Sequence, residues 1–180
     1  GGEAPAADAS SPARSQRVWD LRCDLEESVA ATLDEVRAAY DDRLARKLAP
    51  PQTVLNYALL LWEKDFFEEA FRVYERGVAL FHWPNCVEIW RTYLAKFAER
   101  YGGRKLERLR DLYDQCLAGC PPDLAKPFYL DRAKLEEEHG LARREMEVLA
   151  RAAGRVSRGE RRAVVELYAE RARVSFGIGK

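Results

Sequence analysis

The chain has 180 residues, 47% of them hydrophobic and 33% charged, a balance typical of a globular protein rather than a disordered one. Its 30 Lys and Arg residues are matched by 30 Asp and Glu residues, so it lacks the net positive charge expected of a dedicated nucleic-acid-binding protein. No apolar run approaches the roughly 20 residues that a membrane-spanning helix needs. Composition therefore favours a protein partner and argues against contact with a membrane.

The N-terminal segment, residues 1–16, is rich in Ala, Ser, Pro and Gly and shows no periodicity, which predicts a flexible linker. From Val18 onward, apolar residues recur at helical spacing, and no strand pattern competes. Proline and glycine stand where one periodic stretch ends and the next begins, as at Pro50-Pro51, and a short tail follows at 178–180. The nine predicted helices cover about residues 17–28, 33–48, 52–64, 67–81, 85–101, 104–118, 123–139, 141–156 and 160–176.

The predicted helices recur in pairs with a period of 34 to 39 residues, which is the sequence signature of a helical repeat array. A single pair leaves an apolar face open that a neighbouring pair covers, so contacts between successive repeats should hold the array together. The predicted fold class is all-α, a right-handed α-solenoid. The repeats fall at about 17–50, 51–82, 84–120 and 122–157, with a half repeat at 160–177. The residues expected to pack between helices are Trp19, Tyr40, Tyr57, Tyr74, Trp90, Tyr93, Tyr113, Tyr129 and Tyr168.

Short motifs within the repeats are more informative than their period. The first helices open with an aromatic residue, as in Trp19-x2-Arg22-x3-Glu26, and the second helix of the second repeat ends in YERG at 74–77. This combination resembles the HAT (half-a-tetratricopeptide) repeat. Across about residues 17–177, the segments FHWPN, RYGGRKLER and GCPP are similar to the middle-to-late repeats of the Syf1 / XPA-binding protein 2 family of pre-mRNA splicing factors, in the crooked-neck-like superfamily.

The resemblance implies a nuclear, non-enzymatic scaffold of the NineTeen complex in pre-mRNA splicing, with a further role in transcription-coupled DNA repair. The partners it implies are other splicing-complex proteins, among them a crooked-neck-like HAT protein, with RNA contact secondary and no cofactor. Because members of the family are much longer, the chain is expected to be part of a larger superhelix. The alternative is an RNA-binding HAT module of RNA 3′-end or ribosomal-RNA processing, whose RNA affinity would fall steeply with salt.

Two basic clusters are candidates for partner contacts. Acidic residues are interleaved with the first cluster at i,i+3 and i,i+4 spacing, which favours internal pairing over a partner contact. The second cluster has fewer acids, and there a partner contact and a solvated surface are equally supported. The first basic cluster comprises Lys96, Arg100, Arg104, Lys105, Arg108 and Arg110, and the second comprises Arg151, Arg155, Arg158, Arg161 and Arg162.

Gly102-Gly103 precedes two basic residues and invites comparison with a phosphate-binding loop. Such a loop needs a preceding strand, the GxxxxGK[ST] spacing and a hydroxyl residue after the lysine, and the sequence meets none of these requirements. Gly102 is instead expected to end a helix in the left-handed conformation, and Gly103 to redirect the chain. The stretch is therefore predicted to be a turn between two helices.

A binding surface is expected along the second helices of the repeats, which should line the concave side of the solenoid. The residues predicted to bind partners there and in the basic clusters are Arg37, Asp41, Arg72, Glu75, Arg76, Arg104, Lys105, Arg108, Arg110, Asp114, Arg155 and Arg158. On the last helix, Val164, Leu167, Tyr168 and Phe176 are expected to lack a covering helix, which allows weak self-association.

The sequence indicates no catalytic, cofactor or metal site. His82 and His139 each fall at a helix end without a catalytic partner. Cys116 and Cys120, at i,i+4, would supply only two of the four ligands of a tetrahedral zinc site. Buried, reduced thiols are therefore expected at these cysteines.

Overall fold

The computed structural model describes residues 32–46 and 49–177, which belong to two compact units, Gly1–Ala49 and Pro50–Lys180. In the first unit, residues 32–45 form a helix, α1. It agrees with the predicted helix at 33–48 over the described part of that stretch.

Some predictions concern residues outside the described ranges. These are the linker at 1–16, the helix at 17–28 with Trp19, and the tail at 178–180. They stay predictions, as do the boundaries of the individual repeats.

Seven further helices make up the second unit, and a short 3-10 helix at Gly102–Lys105 connects two of them. Their bounds agree with the predicted helices to within two residues at each end, and the described part of the chain contains no strand. The helices are α2 (Pro51–Glu63), α3 (Phe67–Leu80), α4 (Val87–Tyr101), α5 (Leu106–Gly119), α6 (Pro122–His139), α7 (Ala142–Arg155) and α8 (Arg158–Phe176).

Proline starts two of these helices, Pro51 in α2 and Pro122 in α6. The first amides of a helix have no intrahelical acceptor, so a residue without an amide hydrogen loses nothing there. The end of α6 depends on a glycine, because a Cβ at Gly140 would overlap the carboxylate of Glu136. Proline and glycine thus set helix boundaries where the sequence places them.

Each helix of the second unit packs against the next one along the chain, from α2 on α3 to α7 on α8, and α2 also packs on α4. The apolar core is therefore spread along the array as a series of interfaces between neighbouring helices, as in other repeat proteins. The prediction of an all-α solenoid is confirmed.

The contact between α2, α3 and α4 explains the glycine of the YERG motif. A Cβ at Gly77 would lie 2.5 Å from Val54 Cγ1, so only glycine lets α3 approach α2 this closely. One helix turn earlier in α3, Tyr74 stacks on Tyr93 of α4 with ring centroids 5.5 Å apart. The aromatic repeat residue and the glycine serve two different interfaces of the same helix.

The interface of α8 with α6 and α7 differs from the prediction at two residues. Val164, expected to be uncovered, is 1% exposed and packs in a cluster with Tyr129 and Leu149. Tyr168, named both as a packing residue and as a residue without a covering helix, is 38% exposed, so only the second expectation agrees with the structure. The reason is the direction of the buried stripe of α8, which runs through Val164 and Leu167 and leaves Tyr168 to its side.

The other residues expected to pack between helices have a range of burial. Tyr40 in α1 is half-buried. Those buried in the second unit are Tyr57, Tyr74, Trp90, Tyr93, Tyr113 and Tyr129.

Candidate partner-binding surface

The exposed faces of α3, α5 and α7 carry several of the residues predicted to bind partners. Arg72, Glu75 and Arg76 are exposed on α3, and Asp114 is exposed on α5. The two predicted residues of the first unit, Arg37 and Asp41, are half-buried in α1.

Ion pairs bridge α3, α5 and α7 across these faces. Arg108 of α5 donates to Glu75 of α3 at 3.0 Å, and Glu75 also accepts a hydrogen bond from Tyr93 Oη at 2.9 Å. Arg151 of α7 lies 3.8 Å from Asp114 of α5. Exposed pairs of this kind each contribute only about 0–1 kcal/mol. They nevertheless occupy Glu75, Arg108 and Asp114, which a partner would have to detach from these contacts.

Four other cations of the first basic cluster also contact groups of this chain, and buried Arg110 is described separately below. Arg104 donates to the main-chain carbonyls of Arg100 and Tyr101. Three other cations lie over aromatic rings, at 4.6 Å for Lys96 on Trp62, 4.3 Å for Arg100 on Phe67 and 3.8 Å for Lys105 on Tyr101. Such contacts are worth about 0.5–1 kcal/mol at exposed sites. The first basic cluster therefore forms contacts between neighbouring helices.

The glycine pair between α4 and α5 forms a turn, as predicted. Gly102 has a φ of +52°, a conformation that residues with a Cβ rarely adopt. Gly103 opens space for His139, since a Cβ there would lie 3.0 Å from the imidazole Nδ1. The glycines therefore serve the connection of α4 to α5 and its contact with the end of α6, not a phosphate.

Arg110 corrects the prediction of an exposed partner-binding residue, because it is only 7% exposed. Its guanidinium donates to both carboxylate oxygens of Glu136, at 2.8 Å from Nε and 2.5 Å from Nη2. Arg132 donates to the same carboxylate from one turn earlier in α6, and Glu107 accepts from Arg110 at the surface. The result is a buried charge cluster that joins α5 to α6.

The pKa of Glu136 depends on two opposing effects, its burial and its hydrogen bonds. Burial on its own would raise the pKa, but the hydrogen bonds from Arg110 and Arg132 outweigh it and lower the pKa below its usual value. Glu136 is therefore a charged carboxylate at neutral pH. The Arg132-x3-Glu136 spacing was the sequence signal for half of this cluster, while the contact with Arg110 has no local signal.

The second basic cluster is only partly paired. Arg151 contacts Asp114, and Arg162 donates to Glu166 within α8 at 2.8 Å. Arg155, Arg158 and Arg161 are exposed, and the structure shows no carboxylate partner for them among its described residues. These three residues, the free arginines, lie at the end of α7 and in the first turn of α8.

A cleft of about 440 Å³ lies between α4 and α6, with α5 also lining it. Ala95 and Ala98 of α4 leave space opposite the α6 stripe that contains Asp131 and Leu135. Tyr113 of α5 also lines the cleft, and burial, together with the charge of Asp131, raises the pKa of its hydroxyl. Sequence reasoning missed this site, although the two alanines at i,i+3 were a signal for it.

Cys86 and Cys116 are buried, and Cys120, expected to be buried, is half-buried. Burial raises the pKa of the Cys86 and Cys116 thiols, and it raises the pKa of Cys120 to about 11. Thiols with raised pKa values are protonated at neutral pH and are poor nucleophiles. The described residues contain no group of three or more potential metal ligands, and none of their helices is long and apolar enough to cross a membrane.

Comparison with known proteins identifies the repeats. The family model of the C-terminal HAT repeat of the pre-mRNA-splicing factors Syf1 and CRNKL1 matches residues 6–180. The chain is 50% identical over 165 residues to pre-mRNA-splicing factor SYF1 of Homo sapiens and 48% identical to the syf1 homolog of Drosophila melanogaster. Pre-mRNA-splicing factor cwf3 of Schizosaccharomyces pombe is 43% identical.

These alignments cover 92% of the chain but only 19% of the human and fly proteins and 21% of the yeast protein. The all-helical fold agrees with the matched family model. The chain therefore belongs to the Syf1/CRNKL1 family of HAT-repeat pre-mRNA-splicing factors, as the resemblance of its motifs predicted.

Proposed function

We propose that the chain is part of a pre-mRNA-splicing scaffold, which holds other proteins and catalyses no reaction. The family match over residues 6–180 carries this proposal, and the matched relatives are named as pre-mRNA-splicing factors. A solenoid supports it physically, because stacked helix pairs present long surfaces on which partner segments bind. In this proposal the chain acts in the nucleus, where pre-mRNA is spliced.

The finer part of the proposal concerns the assembly. We expect the partners to be proteins of the NineTeen complex, including a crooked-neck-like HAT protein, and the same scaffold to serve in transcription-coupled DNA repair. The chain spans 19% of the length of SYF1, so only some partners of the whole protein need to contact this part of it.

The free arginines are the surface that best supports a partner contact. Most other cations of the two basic clusters already have a carboxylate, a carbonyl or an aromatic ring within reach. Arg155, Arg158 and Arg161 are exposed on neighbouring helix ends and can pair with acidic residues of another protein without breaking an ion pair of their own. This makes them the first residues to change.

A pull-down from nuclear extract tests the proposal, with the chain as bait and with or without ribonuclease. The variant is Arg155→Glu with Arg158→Glu. The matched control is Arg46→Glu with Arg143→Glu, which changes the charge equally at exposed residues that each pair with a carboxylate four residues away. We expect NineTeen-complex proteins in both samples, reduced recovery with the variant and unchanged recovery with the control. Absence of every splicing protein from the wild-type samples contradicts the proposal.

RNA binding is the second candidate function, and the same free arginines are the observation that favours it. Tyr168 is exposed on α8, the helix that carries Arg158 and Arg161, and offers a ring on which a base could stack. Three phosphate contacts to single-stranded RNA predict a slope of about −2 in a plot of log affinity against log salt. Fluorescence anisotropy with a labelled single-stranded RNA measures this slope, and partner recovery that is lost with ribonuclease would favour this function over the protein scaffold.

A further inference from the structure

The cleft between α4 and α6 combines an apolar lining with space for a guest. Leu94, Phe128 and Leu135 belong to the buried core and also line the cleft. Its volume of about 440 Å³ lies within the range of about 300–1,000 Å³ that is typical of binding pockets. The two small alanines of α4 keep this space open.

The charged residues around the cleft are paired, with one exception. Arg91 donates to Glu88 at 2.9 Å, and Lys134 lies 3.6 Å from Glu138. Asp131 has no hydrogen bond or ion pair with any residue that the structure describes. A carboxylate that forms no direct ion pair is an acceptor for a cation from another molecule.

Two further observations at the same place agree with an external donor. Asp131 is exposed, so a partner can reach its carboxylate, and partial desolvation at the cleft raises its pKa although Lys134 and Arg91 act to lower it. The hydroxyl of Tyr113, which lines the cleft beside it, makes no hydrogen bond within the described ranges. A guest with hydrogen-bond donors would satisfy both groups.

We propose that the cleft between α4 and α6 binds a segment of a partner protein that places a lysine or arginine on Asp131 and a neighbouring apolar side chain against Leu94 and Leu135. The inference rests on the proposed scaffold function, and it adds a second contact, of opposite charge preference to the free arginines. A basic partner segment would bind here and an acidic one at the free arginines. The chain would thereby distinguish partners by their charge.

Selection from a displayed library of random twelve-residue peptides tests this inference without any splicing protein. The intact 180-residue chain is the target. We expect enrichment of peptides that combine lysine or arginine with an apolar residue. Their affinity should fall about tenfold with Asp131→Asn, as expected when a charge-assisted hydrogen bond is lost.

Two variants separate the cleft from general charge effects. Glu138→Gln removes another carboxylate of the same cleft and the same helix. Because Glu138 already pairs with Lys134, peptide affinity should stay within about twofold of wild type. Ala95→Phe fills the cleft and leaves Asp131 in place, and it should weaken the same peptides.

Three results would overturn the inference. These are no enrichment, enrichment of peptides without a cation, and equal losses with Asp131→Asn and Glu138→Gln. Each of them would leave the scaffold function standing, since the pull-down decides that function separately.

Discussion

The two basic clusters have similar numbers of cations, six and five, and different structural roles. In the first, at the junction of α4 and α5, the cations contact aromatic rings, carbonyls and the carboxylates of Glu75 and Glu136. In the second, at the junction of α7 and α8, the three free arginines lack a carboxylate partner within the described part of the chain. The number of positive charges is therefore a poor guide to a binding surface, and the position of the nearest carboxylate is a better one.

The difference follows from the carboxylates that neighbouring helices bring to each junction. At the first junction, α3 and α6 each bring a carboxylate that pairs with a cation of the cluster. At the second junction, the nearby carboxylates of Asp114, Glu160 and Glu166 are paired with Arg151, Lys126 and Arg162. Predictions that change each cluster in turn can break this comparison or sharpen it.

The largest effect is expected at the buried end of the first cluster. Glu136→Gln removes the carboxylate that the buried guanidinium groups of Arg110 and Arg132 share, and breaking a buried ion pair in this way typically costs about 3–5 kcal/mol of unfolding free energy. Glu107→Gln, at a largely exposed carboxylate that also accepts from Arg110, should cost less than about 1 kcal/mol. Urea unfolding followed by circular dichroism measures both, and equal losses would contradict the buried role.

The pH dependence of stability provides a second test of the same cluster. The pKa of Glu136 is lowered from 4.5 in the folded state, so its contribution is complete above that value and is lost as pH falls through the lowered folded value. The difference in unfolding free energy between wild type and Glu136→Gln should therefore shrink as the pH is lowered from 7 into this acid range. A difference that stays constant would show that the charge of Glu136 is not what stabilises the fold.

Smaller effects are expected at the exposed part of the first cluster. Arg100→Ala and Lys105→Ala each remove a cation from an aromatic ring and should lower the unfolding free energy by about 0.5–1 kcal/mol. Recovery of partners in the pull-down should not change. A loss of partners with unchanged stability would move the binding surface to this junction.

The smallest effect on stability is expected at the second cluster. Arg155→Ala, Arg158→Ala and Arg161→Ala remove no ion pair seen among the described residues, so each should change the unfolding free energy by less than about 0.5 kcal/mol. Thermal unfolding measures this, and partner recovery should nevertheless fall. A stability loss comparable to that of Lys105→Ala would mean that these arginines are structural too.

Local features of the sequence were sufficient to predict the helices. Pro51, Pro122 and the glycines at 102–103 act on their own backbone and immediate neighbours, so their effect is visible without a structure. Amphipathic periodicity is local in the same sense, because it depends on residues three and four apart. The motifs between the helices were specific enough to predict the family.

The sequence by itself therefore determined the helical elements, their repetition in pairs and the resemblance to HAT-repeat splicing factors. Only the tertiary structure decided that Arg110 is buried on Glu136, 26 residues away, that Tyr168 is exposed, and that Asp131 forms no ion pair with the described residues around the cleft. The physical reason is that burial and ion pairing depend on which helix covers a side chain. That neighbour comes from another part of the chain, and no local pattern records it.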